Sequence, residues 1–286
     1  MTKTAATRAD VIQAPMGSRA LGARPHAKLI AVASGKGGVG KTWLSITLSQ
    51  ALSEAGQSTL LFDGDLGLAN VDVQLGLMPD HDLAEVLQGR CSLQEARSRS
   101  ESGGFDVIAG RSGSGGLAGL APEKLAEVTD SLFRLAGDYD RVVVDLAAGV
   151  ERPVRFLAAQ CGLCLVVLTD EPTSMTDAYA FIKLTLARSP RSDLRIVVNQ
   201  AASLADGERT YEALAKACES FLRVRPPLLA IVPRDPKVKA SIRSQAPLLS
   251  RFPNSPAAES LRRLAGCILN RDREADPAPL ASLPSG

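Results

Sequence analysis

The chain is 286 residues long, 45% apolar and 22% charged, with a formal net charge of +2. That length suits one large α/β domain, and the near-balanced charge excludes bulk basicity as a means of holding nucleic acid. No apolar run is long enough to span a bilayer, and the N-terminus lacks the apolar core of a signal peptide.

In chain order, residues 1–27 form a polar arm in which Lys3, Arg8, Arg19 and Arg24 outweigh Asp10. The arm is expected to be flexible. Residues 28–270 are expected to form one domain, and the Pro-containing stretch 271–286 a disordered tail. Within the domain, strands are predicted at Leu29–Ala33, Thr59–Phe62, Val107–Ala109, Arg141–Val144, Leu163–Leu168, Arg195–Val198 and Leu228–Ile231. These runs are short, rich in Val, Leu and Ile, and apolar on both faces, as strands are when helices cover both sides. Helical patterns fill the gaps: Trp43–Glu54, Pro122–Ala136, Ser174–Ala187 and Asp206–Leu222. The alternation predicts an α/β fold, a doubly wound and mostly parallel sheet with helices on both faces. Ligands of such sheets sit at the carboxyl ends of the strands.

Between the first strand and the first helix lies Gly35-Lys36-Gly37-Gly38-Val39-Gly40-Lys41-Thr42. It fits the phosphate-loop pattern G-x-x-x-x-G-K-[ST], in the strand–loop–helix context that gives the pattern meaning. Its glycines let backbone N–H groups turn inward around an anion, and the helix N-terminus behind them adds positive potential. Lys41 is expected to reach the β- and γ-phosphates of ATP, and Thr42 to ligate Mg²⁺. One lysine suffices for the chain's own nucleotide, so Lys36 asks for a second use.

The spelling K-G-G-V-G-K-T resembles the deviant Walker A motif of the MinD/ParA ATPases. The resemblance implies that Lys36 crosses a dimer interface and touches the partner's nucleotide, so that ATP binding drives homodimerisation and hydrolysis ends it. It also implies roles at the other strand ends. In Asp63-Gly64-Asp65, a carboxylate pair able to serve Mg²⁺ or a water, Asp65 would orient the attacking water. Val142-Val143-Val144-Asp145 has the Walker B arrangement and places Asp145 near Mg²⁺. Gly149 belongs to a segment similar to the second switch, which moves when the γ-phosphate leaves. Asn199, Pro233 and Asp235 fall where relatives meet the adenine.

Two longer segments, Asp65–Leu77 and Asp170–Lys183, together with Val232–Asp235 and Phe252–Pro256, look like the flagellar number regulators of this family, FlhG/FleN. The resemblance covers about residues 28–270 and implies a cytoplasmic ATPase at the cell pole or the inner membrane face. Its partner would be a flagellar GTPase, FlhF, or a flagellar transcription activator. Two departures stand out. Arg8–Pro15 does not match the D-Q-A-x-x-L-R element that engages the GTPase. Ser260–Leu269 puts Leu261, Leu264, Ala265, Ile268 and Leu269 on one face, which reads as a core helix before it reads as a membrane anchor. Division-site MinD and DNA-segregating ParA proteins are the rival branches; nothing in the sequence marks a specific nucleic-acid site.

The five cysteines are scattered, as reduced thiols are. Cys161-Gly162-Leu163-Cys164 is formally C-x-x-C, but it enters an apolar strand and reads as buried filler. His26 and His81 are far apart in sequence, and histidine spacing predicts no metal site.

Overall fold

A computed structural model describes residues 26–65, 67, 69–110 and 121–275, although for 272–275 only the backbone is described. The arm and most of the tail lie outside the described residues. Eight strands form one sheet: β1 (His26–Ser34), β2 (Thr59–Gly64), β3 (Arg97–Ser100), β4 (Phe105–Ile108), β5 (Arg141–Ala148), β6 (Cys161–Leu168), β7 (Leu194–Ala201) and β8 (Leu228–Pro233). Their spatial order is β3-β4-β2-β5-β1-β6-β7-β8. Every pairing is parallel except that of β3 with β4. The seven predicted strands are present and run a little longer than predicted. The eighth, β3, is the one missed. Its residues Arg97-Ser98-Arg99-Ser100 have no apolar alternation because the strand sits at the sheet edge. Charged edge strands resist unwanted pairing.

Successive side chains of each inner strand feed two separate cores. Leu29, Ala31 and Ala33 enter one, while Ile30 and Val32 enter the other. Val142 and Val144 split from Val143 in the same way, and Cys164, Val166 and Leu168 split from Leu163, Leu165 and Val167. The first core is closed by α4 (Pro122–Leu135), α5 (Arg152–Gln160), α6 (Pro172–Arg188) and α7 (Leu204–Leu222). The second is closed by α1 (Lys41–Glu54), the short α2 (Val71–Leu75), α9 (Leu248–Arg251) and α10 (Pro256–Ala275). Two further short helices, α3 (Leu83–Leu87) and α8 (Pro236–Arg243), cap strand ends.

In α10, Leu261, Leu264, Ala265 and Ile268 are fully buried against the sheet. This is the core helix expected from its pattern, and its apolar face is occupied. The helix passes the expected domain edge at 270 and ends at Ala275. Among the described residues no helix is long and apolar enough to cross a membrane. Cys161 and Cys164 are buried, and burial pushes both thiols up. They are packing residues, as the strand context predicts.

Candidate functional site

The phosphate loop runs from the end of β1 into α1. Its shape rests on glycine at three places. Gly38 and Gly40 have φ of 80° and 89°, the left-handed region that side chains avoid. Gly35 is required by space: a Cβ there would lie 2.2 Å from the backbone of Asp177 in α6. Below the loop, the Asn199 amide donates to the Val39 carbonyl at 2.8 Å, and its Oδ1 accepts from the Gln200 N–H at 2.9 Å. Gln200 itself has φ of 57° and donates to the Gly38 carbonyl at 3.4 Å.

Two segments meet the loop from other strands. The Ser34 hydroxyl donates to the Lys36 carbonyl at 2.6 Å, and the Gly149 N–H donates to the Ser34 carbonyl at 2.9 Å. Gly149 has φ of 114°, a conformation that only glycine fills easily. On the opposite side, the Lys36 ammonium donates to Glu171 Oε2 and, at 2.8 Å, to the Thr173 hydroxyl. Lys36 is thus held by the N-terminal end of its own chain's α6.

The carboxylates lie side by side. In the parallel register of β2 and β5, Asp63 is opposite Asp145. Both are buried. Asp63 accepts the N–H groups of Asp65 at 3.1 Å and Val71 at 3.3 Å. Burial, then the charge of Asp145, pushes the Asp63 carboxyl up to about 8. Burial likewise pushes Asp145 up to about 6, against the pull of Thr42, Lys41 and Ser45. Lys41 is buried too, and desolvation lowers its ammonium while Asp145 and Asp65 support the charge. Burial thus disfavours the charge on all three side chains. Asp65 is only half buried, at the mouth of this cluster.

Asp145 Oδ1 accepts from the Ser45 hydroxyl at 2.9 Å, whereas its buried Oδ2 has no hydrogen-bond partner among the described residues. A buried oxygen left open beside Thr42 suits a cation, and an all-oxygen donor set suits Mg²⁺. The residues present therefore fit the ion that the sequence implies.

The structure brings Gly35–Thr42, Asp63, Asp65, Asp145 and Gly149 to one end of the sheet. The Asn199 and Asp235 side chains both have partners within the chain. The Asn199 side chain is turned under the loop, as described. Asp235 caps α8 by accepting from Lys237 N–H at 2.9 Å and ties α10 to it by accepting from Ala257 N–H at 3.2 Å. Both side chains brace the walls, which is why both are buried. Pro233 ends β8 beside Ala201.

Ser45, Glu171, Thr173 and Gln200 were not found from sequence. Ser45 alone had a readable signal, since it lies one turn after Lys41 on the same helix face. Substituting Asn199 with alanine is expected to cost about 1–3 kcal/mol, the penalty for buried polar groups left unpaired. Thermal unfolding reads that cost directly. Nucleotide titration should show about tenfold weaker binding, because the loop loses its support.

This is the site of a phosphate-loop nucleotide-binding protein. The chain belongs to the CobQ/CobB/MinD/ParA nucleotide-binding-domain family, whose profile matches residues 30–248. It is 35% identical to the antiactivator FleN of Pseudomonas aeruginosa over 266 residues, 93% of this chain and 92% of FleN. It is 30% identical to the flagellum site-determining protein YlxH of Helicobacter pylori, across 86% of this chain and 83% of YlxH. Among solved structures, the cell-division ATPase MinD of Pyrococcus furiosus superposes with a TM-score of 0.72 at 27% identity, covering 86% of this chain and all of MinD. MinD of Pyrococcus horikoshii in complex with Mg-ADP gives 0.71 at 25% identity, covering 88% of this chain and 98% of that one.

Proposed function

We propose that this chain is an ATPase that dimerises on ATP and uses that switch to set flagellum number and placement. The supporting observation is the likeness to FleN, 35% identity over nearly the whole of both chains, against septum-site MinD proteins that match either over less of the chain (32% over 60% for Bacillus subtilis) or at lower identity (26% over 86% for Helicobacter pylori). The partner we favour is a flagellar transcription activator. The name antiactivator given to FleN supports that choice over a flagellar GTPase, as does the mismatch of Arg8–Pro15 to the GTPase-engaging element.

The reaction is hydrolysis of ATP to ADP and phosphate. Bound Mg²⁺ would neutralise charge on the β- and γ-phosphate oxygens. Thr42 and Asp145 are assigned to hold it, with Asp65 at the edge of its shell. Backbone N–H groups from Gly35 to Thr42 cradle the phosphates, and Lys41 places its charge on them in a site that excludes water. Asp65 orients the attacking water. Gly149, hung on the Ser34 carbonyl, reports loss of the γ-phosphate to α5. Pro233 is assigned to the base. Slow turnover serves such a switch as a timer.

Lys36 is the trans-acting residue in this reading, and its bonds to Glu171 and Thr173 hold it in cis until a partner's phosphates compete. An exposed ion pair is worth about 0.2–1 kcal/mol. Glu171→Ala is therefore expected to lower the ATP concentration needed for dimerisation by about twofold to fivefold. Lys36→Ala should bind ATP normally and remain a monomer. Analytical ultracentrifugation at graded ATP distinguishes these; an intact Lys36→Ala dimer rules out the trans role.

Function is tested by counting flagella in cells lacking the gene. Extra or misplaced flagella, restored by the wild type but not by Lys41→Ala, are the expected outcome. Normal flagella with minicells or misplaced chromosomes would move the switch to division or DNA segregation.

A further inference from the structure

Away from the phosphate loop, the segment from His81 to Cys91 forms a cluster that the ATPase reaction does not use. Asp82 caps α3 by accepting from the Glu85 N–H at 3.0 Å, which sets His81 just before the helix and Glu85 one turn on. His81 Nδ1 and Glu85 Oε2 are 2.8 Å apart. After α3 the chain reverses at Gly89, with φ of 71°. The Gly89 N–H donates to Val86 and the Arg90 N–H to Glu85, a Schellman-type turn that folds Cys91 back over the helix. As a result one nitrogen of His81, one oxygen of Glu85 and the sulfur of Cys91 all lie within 4.8 Å of one another. Sequence spacing alone hides this, because only one of the three ligands is a histidine.

We propose that His81, Glu85 and Cys91 form a binding site for a zinc-class divalent cation. Three protein ligands of N, O and S type with a fourth position left to water are an established zinc geometry. The ligand atoms of a tetrahedral zinc are roughly 3.5 Å apart, given bonds of about 2.0–2.3 Å. His81 and Glu85 need to open by less than about 1 Å from their present contact, and Cys91 needs to close by at most about 1.3 Å. The surrounding charge is right for a cation. Asp80, Asp82 and Glu95 lie in the same acidic segment as Glu85. Binding replaces the Cys91 S–H with an S–Zn bond and releases that proton to solvent, while His81 binds through a neutral ring nitrogen. The Leu83 N–H donates to the Ala109 carbonyl, just past β4, at 2.8 Å. The ion would therefore staple the turn carrying Cys91 back onto α3, which this hydrogen bond already ties to the sheet.

The test uses the full-length protein with Cys267→Ser, because Cys267 is the other thiol that is not buried. Mg²⁺ is kept in excess to occupy the phosphate-loop site. Zinc is titrated in competition with a chromophoric chelator, and modification of Cys91 by a thiol reagent is timed with and without zinc. The expected result is one zinc per chain, slowed modification of Cys91, and binding weakened at least about tenfold in both His81→Gln and Cys91→Ser. Circular dichroism establishes that each variant is folded. No zinc uptake by the parent, unchanged affinity in either variant, or unprotected Cys91 would overturn the assignment.

Discussion

Lys41→Ala is expected to lose tight ATP binding and, with it, the ATP-dependent dimer. Lys41 is buried at the first turn of α1, and Asp145 and Asp65 are the charges that sustain its ammonium there. A hydrogen bond to a charged group contributes about 1.5–3 kcal/mol, so removal weakens ATP binding by about 10- to 100-fold. In the proposed role the chemical step loses more, because the same charge would face the negative charge that develops on the phosphate in transit; one such donor is worth about 10²–10³ in rate. The variant also leaves Asp145 beside Asp63 and Asp65 with no cation facing them. Its carboxyl, already raised to about 6, should rise further, and Mg²⁺ alone would not restore the phosphate contacts. Isothermal titration measures the affinity. A thermal melt gives an independent reading, since ligand that binds only the native state raises the midpoint. Parent protein should gain stability with Mg-ATP and Lys41→Ala should gain little. Affinity within about threefold of the parent would contradict the placement of this side chain on the phosphates.

The reach of the sequence can be judged from particular residues. The inner strands were legible because each is apolar on both faces, and the structure shows the reason: alternate residues such as Ile30 and Ala31 feed opposite cores. The phosphate loop was legible because its glycines and lysine answer to local geometry over eight consecutive positions. What was not legible depends on contacts between distant parts of the chain. Nothing at Lys36 reveals that Glu171 and Thr173 hold it. Nothing at Asn199 distinguishes a side chain facing a base from one supporting Val39. Asp235 resembles a site residue in sequence, yet its two oxygens serve the ends of α8 and α10. Strand β3 was missed for a different reason. At the sheet edge one partner suffices, and Arg97 and Arg99 instead reach Asp106 on β4 in charged cross-strand contacts.

Asp65→Ala is expected to separate ATP binding from ATP turnover. Of the two carboxylates at the end of β2, Asp63 is wholly buried and uses its two oxygens to accept the Asp65 and Val71 N–H groups, which ties down the turn into α2. Asp63→Ala should therefore act on the fold, leaving the buried Val71 N–H unpaired at about 1–3 kcal/mol and the half-buried Asp65 N–H without its partner. Asp65 is half buried, opens that turn, and its charge reaches both Lys41 and Asp145. It is the carboxylate we propose to hold the attacking water. Its removal should leave ATP affinity within a few-fold, while hydrolysis falls by about 10²-fold or more, the usual worth of a positioned base. Because hydrolysis is the step that ends the ATP state, slower hydrolysis lengthens the lifetime of the dimer. Phosphate release and light scattering must then move in opposite directions in the same variant, with turnover nearly gone and dimer accumulating at saturating Mg-ATP. A purely structural role for Asp65 would instead lower affinity, dimerisation and the unfolding midpoint together. A variant that hydrolyses at the parental rate, or stays monomeric with excess ATP, would remove Asp65 from the chemistry and point instead to the switch-like segment Leu146–Glu151.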